Sequence, residues 1–296
     1  MSLLRINSSE HGLTLHGSAQ PVKPILTNSC TATRGAVIMV HGYKYAPYMG
    51  AHCPHTSLFG SAGWPQTLAT RPDTLCVAFG WHARTGLARA YERAFEHARE
   101  LAGLIRALRP HGPVHVIAHS LGATLALAAL PYLRRGDVGR IVLLNGAAHQ
   151  GLAYHALKSP AGHDCTLFHV TSRENYLFDL AFEGLIGGTG AIARGLGAPQ
   201  AHQIQISCPA TLETLARLGY PLAQPARRVC HWSSYTRPGV MALNAALLEG
   251  RLTAEQLACA LPHAPDTGTS WSLALRRKAA AITARYDRKN ASDQHA

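Results

Sequence analysis

The chain has 296 residues, of which 47% are hydrophobic and 15% charged, so it contains enough apolar material for a sizeable buried core. Its formal net charge of +12 bears on solubility and non-specific association with anions, and it does not indicate a fold. The seven cysteines are scattered and include no C-x-x-C pair, which argues against a zinc ribbon and a disulfide framework.

Targeting and partner signals are weak along the whole sequence. Residues 1–17 lack the continuous apolar core of a signal peptide, and no stretch approaches the roughly 20 apolar residues that span a bilayer. We therefore expect a cytoplasmic protein without stable membrane insertion. The only dense basic stretch, between Arg276 and Lys289, indicates a tail rather than a nucleic-acid groove. We expect no nucleic-acid partner, and the sequence carries no signal for an oligomeric state.

Short apolar runs alternate with helical patterns over most of the chain. Their continuous apolar, β-branched composition predicts strands that are buried on both faces. The predicted strands are residues 36–40, 74–79, 114–118, 141–144, 165–171 and 202–207. Apolar spacing predicts helices at 87–108 and 121–133. The alternation predicts an α/β fold, with one mostly parallel central sheet flanked by helices on both faces.

The remaining segments are less regular. Residues 1–34 are predicted to hold short edge strands at most, and residues 43–73 form a long loop that would border a substrate pocket. The glycine-rich stretch 184–197 lacks the Lys-Ser/Thr of a phosphate loop, which predicts a mobile loop. We therefore expect a main domain at 35–250 between the N-terminal segment and a helical extension at 251–296, whose basic end is predicted to be disordered.

A serine follows the third of these strands, where the next helix begins. The run from Ala118 to Gly122 reads A-H-S-L-G and places Ser120 at a sharp strand-to-helix turn. Such a turn needs small residues two positions before and after the nucleophile, and Ala118 and Gly122 are both small. A serine at a helix start is otherwise often an N-cap. The surrounding pattern favours a nucleophile, with His119 bordering the substrate.

A nucleophilic serine also needs hydrogen-bond donors for the oxyanion that forms on the attacked carbonyl. The backbone N–H of Leu121 is one candidate. The second donor is expected in a loop after an earlier strand, and His41-Gly42-Tyr43 follows the first main strand. We predict the Tyr43 N–H as this donor, with His41 and Gly42 contacting substrate.

The H-G-Y segment and the A-H-S-L-G segment together resemble the α/β-hydrolase superfamily. The resemblance covers roughly residues 35–235. It implies a chain order of nucleophile, acid and histidine, with the acid after a later strand and the histidine in a late loop.

Two carboxylates follow the strand at 165–171. Glu174 lies nearer the strand end and is favoured as the acid, whereas Asp179 would lie about one turn into the next helix. Asn175 is a third possibility, because an amide orients the histidine in papain-like cysteine proteases. His231 lies in a polar C-H-W-S-S loop that is similar to segments carrying the base in small bacterial relatives.

These residues predict hydrolysis of a carboxylic ester or related acyl bond of a small, apolar substrate through an acyl-enzyme. Two alternatives stay open. The same serine would serve an acyltransferase, and the fold also suits a non-catalytic binding protein. His52, Cys53 and His55 are ligand-type side chains, but no second pair at ligand spacing follows. We therefore expect neither a metal nor another cofactor.

Overall fold

The computed structural model describes residues 2–30, 33–68 and 72–260. The strands are β1 (Ser2–Ser9), β2 (Gly12–Leu15), β3 (Gly35–Val40), β4 (Thr74–Gly80), β5 (Val114–His119), β6 (Arg140–Leu144), β7 (Thr166–Thr171) and β8 (Ala201–Gln205). The helices are α1 (Val22–Cys30), α2 (Pro54–Ser57), α3 (Trp64–Leu68), α4 (Leu87–Glu96), α5 (Ala98–Leu108), α6 (Gly122–Ala129), α7 (Gln150–Lys158), α8 (Pro160–Asp164), α9 (Tyr176–Leu185), α10 (Pro209–Arg217), α11 (Ser233–Thr236), α12 (Val240–Glu249) and α13 (Ala254–Ala260).

The strands form one sheet in the order β2-β1-β4-β3-β5-β6-β7-β8. Only β2 runs antiparallel to its neighbour, and every other pairing is parallel. Side chains of β3 alternate between two cores, with Ile38 and Val40 in one and Val37 and Met39 in the other. Successive strand residues point to opposite faces, so the sheet is buried on both sides. The predicted fold class is therefore confirmed.

The N-terminal segment contributes more to the sheet than the sequence indicates. β1 pairs in parallel with β4 from Ser2 to Asn7, and β2 forms the edge beside it. Helix α1 packs its Leu26 into the same core as β3. These residues belong to the central sheet, and the division at residue 34 therefore does not separate two cores.

The helix predicted at 87–108 is two helices, α4 and α5, that meet at His97. The His97 ring is buried, and its Nδ1 lies 2.8 Å from the Ser8 hydroxyl on β1. Apolar spacing continues through the break, because both halves bury the same side against the sheet. At the break, His97 therefore contacts a strand that is distant in the chain.

Two segments predicted as loops are more structured than expected. Residues 43–73 include α2 and α3, whose Trp64 is buried in the second core. In the stretch 184–197, Ile192 is buried and Ala191 bridges to His149. Arg194 adds an ion pair with Glu183 on α9. The glycine-rich stretch is therefore anchored to its surroundings by packing and pairing.

Of the helical extension predicted at 251–296, the structure describes residues 251–260, which include α13, and the basic end from Arg276 lies outside the described residues. Across the described ranges, each helix is too short or too polar to cross a bilayer.

Two helix glycines make a matched test of the packing around the sheet. A Cβ on Gly122 would lie 2.7 Å from the His41 carbonyl oxygen, whereas one on Gly103 in α5 would meet nothing within 4 Å. We expect Gly122→Ala to lower the free energy of unfolding by about 1–3 kcal/mol through overpacking. Gly103→Ala should raise it by about 0.5–1 kcal/mol, because alanine is the better helix former. Urea unfolding measures both variants, and changes of the same sign would contradict the close approach at Gly122.

Candidate active site

Ser120 occupies a strained turn between β5 and α6. Its φ of 55° lies in the left-handed region, which costs a residue with a Cβ about 1–2 kcal/mol. The turn is held from both sides, since the Ser120 N–H donates to the Leu144 carbonyl at 3.1 Å. The Ser120 carbonyl accepts from the Ala123 and Ala147 N–H groups at 2.9 and 3.0 Å. The surrounding structure therefore maintains the conformation.

The loop after β3 lies directly against this turn. A Cβ on Gly42 would stand 2.6 Å from the Ser120 Cβ and 2.8 Å from the His119 carbonyl oxygen. Only a residue without a side chain fits there. The glycine of the H-G-Y segment thus serves to bring the following residue beside the serine, and Gly42 does not line the cavity.

His41 braces this loop from behind. Its Nε2 accepts from the Trp81 backbone N–H at 3.0 Å, and its Nδ1 donates to the Gly42 carbonyl at 2.9 Å. The Trp81 indole stacks on the ring and donates to the His41 carbonyl at 2.9 Å. Complete burial lowers the pKa of His41 to about 3, so the ring is neutral. The residue predicted to contact substrate is instead enclosed behind the loop, where it does not line the cavity.

The two backbone donors predicted for an oxyanion are on residues that line the same cavity as Ser120. Among the described residues, neither the Tyr43 N–H nor the Leu121 N–H has a protein acceptor. The chain turns sharply just after Tyr43, because Lys44 has a φ of 73° and its N–H donates to the Ala83 carbonyl. The Tyr43 hydroxyl is anchored on the Thr85 carbonyl at 3.1 Å.

The loop that carries His231 is fastened next to Ser120 through its backbone. The His231 carbonyl accepts from His119 Nε2 and from Asn145 Nδ2, each at 3.1 Å. Burial lowers the pKa of His119 to about 4, which leaves this ring neutral and able to donate from one nitrogen. Phe178 stacks on the His231 ring with 4.4 Å between centroids. The position of His231 is thereby set by the residue that precedes Ser120.

The side chain of His231 contacts an amide rather than a carboxylate. Its Nδ1 lies 2.6 Å from Asn175 Oδ1, and Asn175 Nδ2 donates to Asp179 Oδ1 at 2.7 Å. A carbonyl oxygen only accepts, so the proton is on Nδ1 and Nε2 is left as the acceptor. Burial, chiefly, raises the pKa of Asp179 to about 7. Burial also lowers the pKa of His231, which keeps the ring neutral.

Glu174, the favoured acid, faces away from His231. Its carboxylate accepts from the Ser207 hydroxyl at 2.6 Å and lies 3.7 Å from the Arg237 guanidinium, and both charged side chains are buried. The sequence places Glu174 correctly after β7, but its side chain is held by Ser207 and Arg237 and not by the histidine. Asp179 lies in the first turn of α9, as expected, and reaches the histidine through Asn175.

Ser120, His119, His231, Asn175 and Asp179 line one cavity of about 600 Å³. Its wall is largely apolar, with contributions from Leu87, Leu121, Ala147, Phe178, Ala181 and Phe182.

Sequence reasoning missed Asn145, which braces two loops at once. It has a φ of 42°, its Nδ2 holds the His231 carbonyl, and its Oδ1 accepts from the Ser172 N–H at 3.1 Å. The signal available was the Asn-Gly pair directly after β6, because asparagine tolerates the left-handed region. Trp81 and Phe178 carried no comparable signal, since both are aromatic residues in ordinary apolar patterns.

Solved structures that are similar to this chain include a lipase-esterase related protein from Clostridium acetobutylicum, with 11% identity over 58% of this chain and 85% of that chain and a TM-score of 0.36. A phospholipase from Legionella pneumophila has 14% identity over 47% and 38%, with a TM-score of 0.30. An acylaminoacyl peptidase from Pyrococcus horikoshii has 13% identity over 77% and 37%, with a TM-score of 0.34. The chain thus spans less than half the length of the last two.

No curated protein matches the sequence at a significant level. A family model described as alpha/beta hydrolase family matches residues 37–286, which is most of the chain. The match includes most of β3, the turn at Ser120 and the loop of His231. The chain belongs to the alpha/beta hydrolase family.

Proposed function

We propose that this protein is a serine hydrolase that cleaves a carboxylic ester or related acyl bond through an acyl-enzyme on Ser120. The observation that carries the proposal is the left-handed conformation of Ser120 beside two backbone amides that have no acceptor in the described part of the chain. Strain of this kind persists only where the surroundings impose it, and it clusters at functional sites. Membership of a hydrolase family supports the same conclusion.

In the proposed mechanism, His231 Nε2 takes the Ser120 proton as Oγ bonds to the acyl carbon. The Tyr43 and Leu121 N–H groups donate to the resulting oxyanion. Collapse of the intermediate breaks the bond to the leaving oxygen, which receives the proton from His231. Water then attacks the acyl-enzyme, gives a proton to His231, and the carboxylic acid leaves as Ser120 regains its proton.

Asn175 orients the histidine in this proposal, and Asp179 polarises the amide. The amide points its oxygen at His231, and its Nδ2 donates to the Asp179 carboxylate. A charged Asp179 strengthens this orientation, because the negative charge attracts the Nδ2–H and leaves more negative charge on Oδ1. The imidazolium that forms during turnover is thereby stabilised across the amide.

The cavity indicates which part of the substrate it holds. Its apolar wall suits an acyl chain, whereas its polar groups gather around Ser120. We therefore propose that a small apolar acyl group occupies the cavity.

Two substitutions of Ser120 distinguish the backbone strain of the turn from the catalytic role of the hydroxyl group. Ser120→Ala and Ser120→Gly should both lose p-nitrophenyl ester hydrolysis by on the order of 10⁴-fold or more and lose labelling by a fluorophosphonate probe. Ser120→Gly should also be about 1 kcal/mol more stable than Ser120→Ala, because glycine adopts a positive φ without strain. Absence of labelling in folded wild-type protein would show that the chain is not a serine hydrolase.

The contact between Asn175 and His231 predicts different kinetic effects for substitution of Asn175 and of its neighbour Glu174. Asn175→Ala should lower kcat by on the order of 10³-fold, since the histidine loses the group that fixes its tautomer. Glu174→Gln should leave kcat within a few-fold but lower the free energy of unfolding by about 3 kcal/mol, because Arg237 keeps a buried charge without its partner. Steady-state kinetics and urea unfolding measure both effects. A large loss of kcat in Glu174→Gln, together with a kcat close to wild type in Asn175→Ala, would instead assign the orienting role to Glu174.

The raised pKa of Asp179 predicts a pH profile. Asp179 has a pKa of about 7, so it is neutral below that pH and charged above it. The value of kcat/KM should therefore rise by about tenfold as the pH increases through 7, since the charged form supports the imidazolium. Asp179→Asn should abolish this rise, so that kcat/KM keeps its low value at every pH. A variant that retains the rise would show that another group titrates there.

A further inference from the structure

Two neighbouring chain segments contribute residues to the wall of the cavity that contains Ser120. The rim, as we name it, consists of residues 173–178, after β7, and residues 227–232, before α11. The Cys230 N–H donates to the Glu174 carbonyl at 2.9 Å and ties the two segments together. Phe178 and Trp232 also line the cavity, so the rim is continuous with the site of the proposed chemistry.

The rim exposes an unusual amount of apolar surface. Ten large hydrophobic side chains are exposed among the described residues, and five of them lie on the rim. These five are Tyr176, Leu177, Phe178, Val229 and Trp232. Scattered exposed hydrophobic residues need no explanation, but a contiguous group beside a cavity indicates an interaction site.

The same rim carries three exposed positive charges. Arg173, Arg227 and Arg228 border one shallow depression of about 360 Å³. In the part of the chain that the structure describes, their guanidinium groups make no ion pair or hydrogen bond. Glu174 is the only acidic residue in either segment, and its buried carboxylate is engaged by Arg237 and Ser207. The exposed charge of the rim is therefore positive.

We propose that the rim docks this protein onto an anionic lipid surface. Tyrosine and tryptophan rings favour the boundary between headgroups and acyl chains, and arginines beside them meet anionic headgroups. A second copy of the chain would bring two sets of unpaired arginines together, and the sequence after residue 260 is itself basic around Arg276. Charge therefore favours an anionic surface over either of these. The inference goes beyond the proposed function, because docking requires no turnover.

Docking is tested by co-sedimentation of the full chain with vesicles of phosphatidylcholine alone and of phosphatidylcholine mixed equally with phosphatidylglycerol. Wild type and Ser120→Ala should bind the mixed vesicles equally, and added salt should weaken the binding of both. Arg227→Gln with Arg228→Gln should weaken binding by about 25-fold, at about fivefold for each arginine. Tyr176→Gln should weaken it by about threefold or more through lost insertion.

The chain offers a control for each change. Arg134 and Arg135 form a second exposed arginine pair, in which Arg135 lies 3.6 Å from the Asp164 carboxylate. They precede β6 at the opposite end of the strands from Ser120. Tyr132 nearby is 43% exposed, as against 42% for Tyr176. The corresponding glutamine variants should change vesicle binding by less than about twofold.

Three results would overturn the proposal. Equal weakening by the control arginine pair would assign binding to net charge alone. Loss in the Arg227 and Arg228 variant with no change in Tyr176→Gln would indicate a site for soluble polyanions such as nucleic acid. Absence of wild-type binding to the mixed vesicles would exclude docking. This outcome is separate from the proposed hydrolase function, because the assay measures binding and includes Ser120→Ala beside wild type.

Discussion

The left-handed turn at Ser120 is the constraint on which the site depends. β5 lies in the middle of the sheet between β3 and β6, and α6 begins almost directly after it. The chain must therefore reverse within the few residues around Ser120. Gly42 and Gly122 allow the neighbouring backbones to close around it, and the Leu144 carbonyl holds its amide. A turn this tight leaves the serine side chain at the carboxyl ends of the strands, where ligands bind in open α/β sheets.

The second half of the site is assembled by hydrogen bonds to one carbonyl. His119 precedes Ser120 and Asn145 follows β6, and both donate to the His231 backbone. These two side-chain donors fix the His231 carbonyl relative to the serine, and no carboxylate takes part in either bond. This separation explains how the side chain of His231 is oriented by an amide while Glu174 takes part in a buried ion pair elsewhere.

The position of Asp179 illustrates how burial and distance act together. A carboxylate in this apolar surrounding resists ionisation, which raises its pKa to about 7. Asn175 is placed between it and the histidine, so the charge acts through a polarised amide rather than in direct contact. In the proposed mechanism, support for the imidazolium therefore depends on pH in the physiological range.

The sequence by itself determined the parallel sheet, the serine turn and the loops that meet it. Each of these follows from local patterns: β-branched runs form buried strands, and small residues surround the turn from Ala118 to Gly122. Tertiary structure alone decided the helix break at His97, the pairing of β1 with β4, and the direction of the Glu174 side chain. Each of these features includes a contact with a partner that is distant in the chain. The partners are Ser8 for His97, the β4 backbone for β1, and Ser207 with Arg237 for Glu174. Neither composition nor spacing encodes which distant group a side chain will meet, because folding brings those groups together.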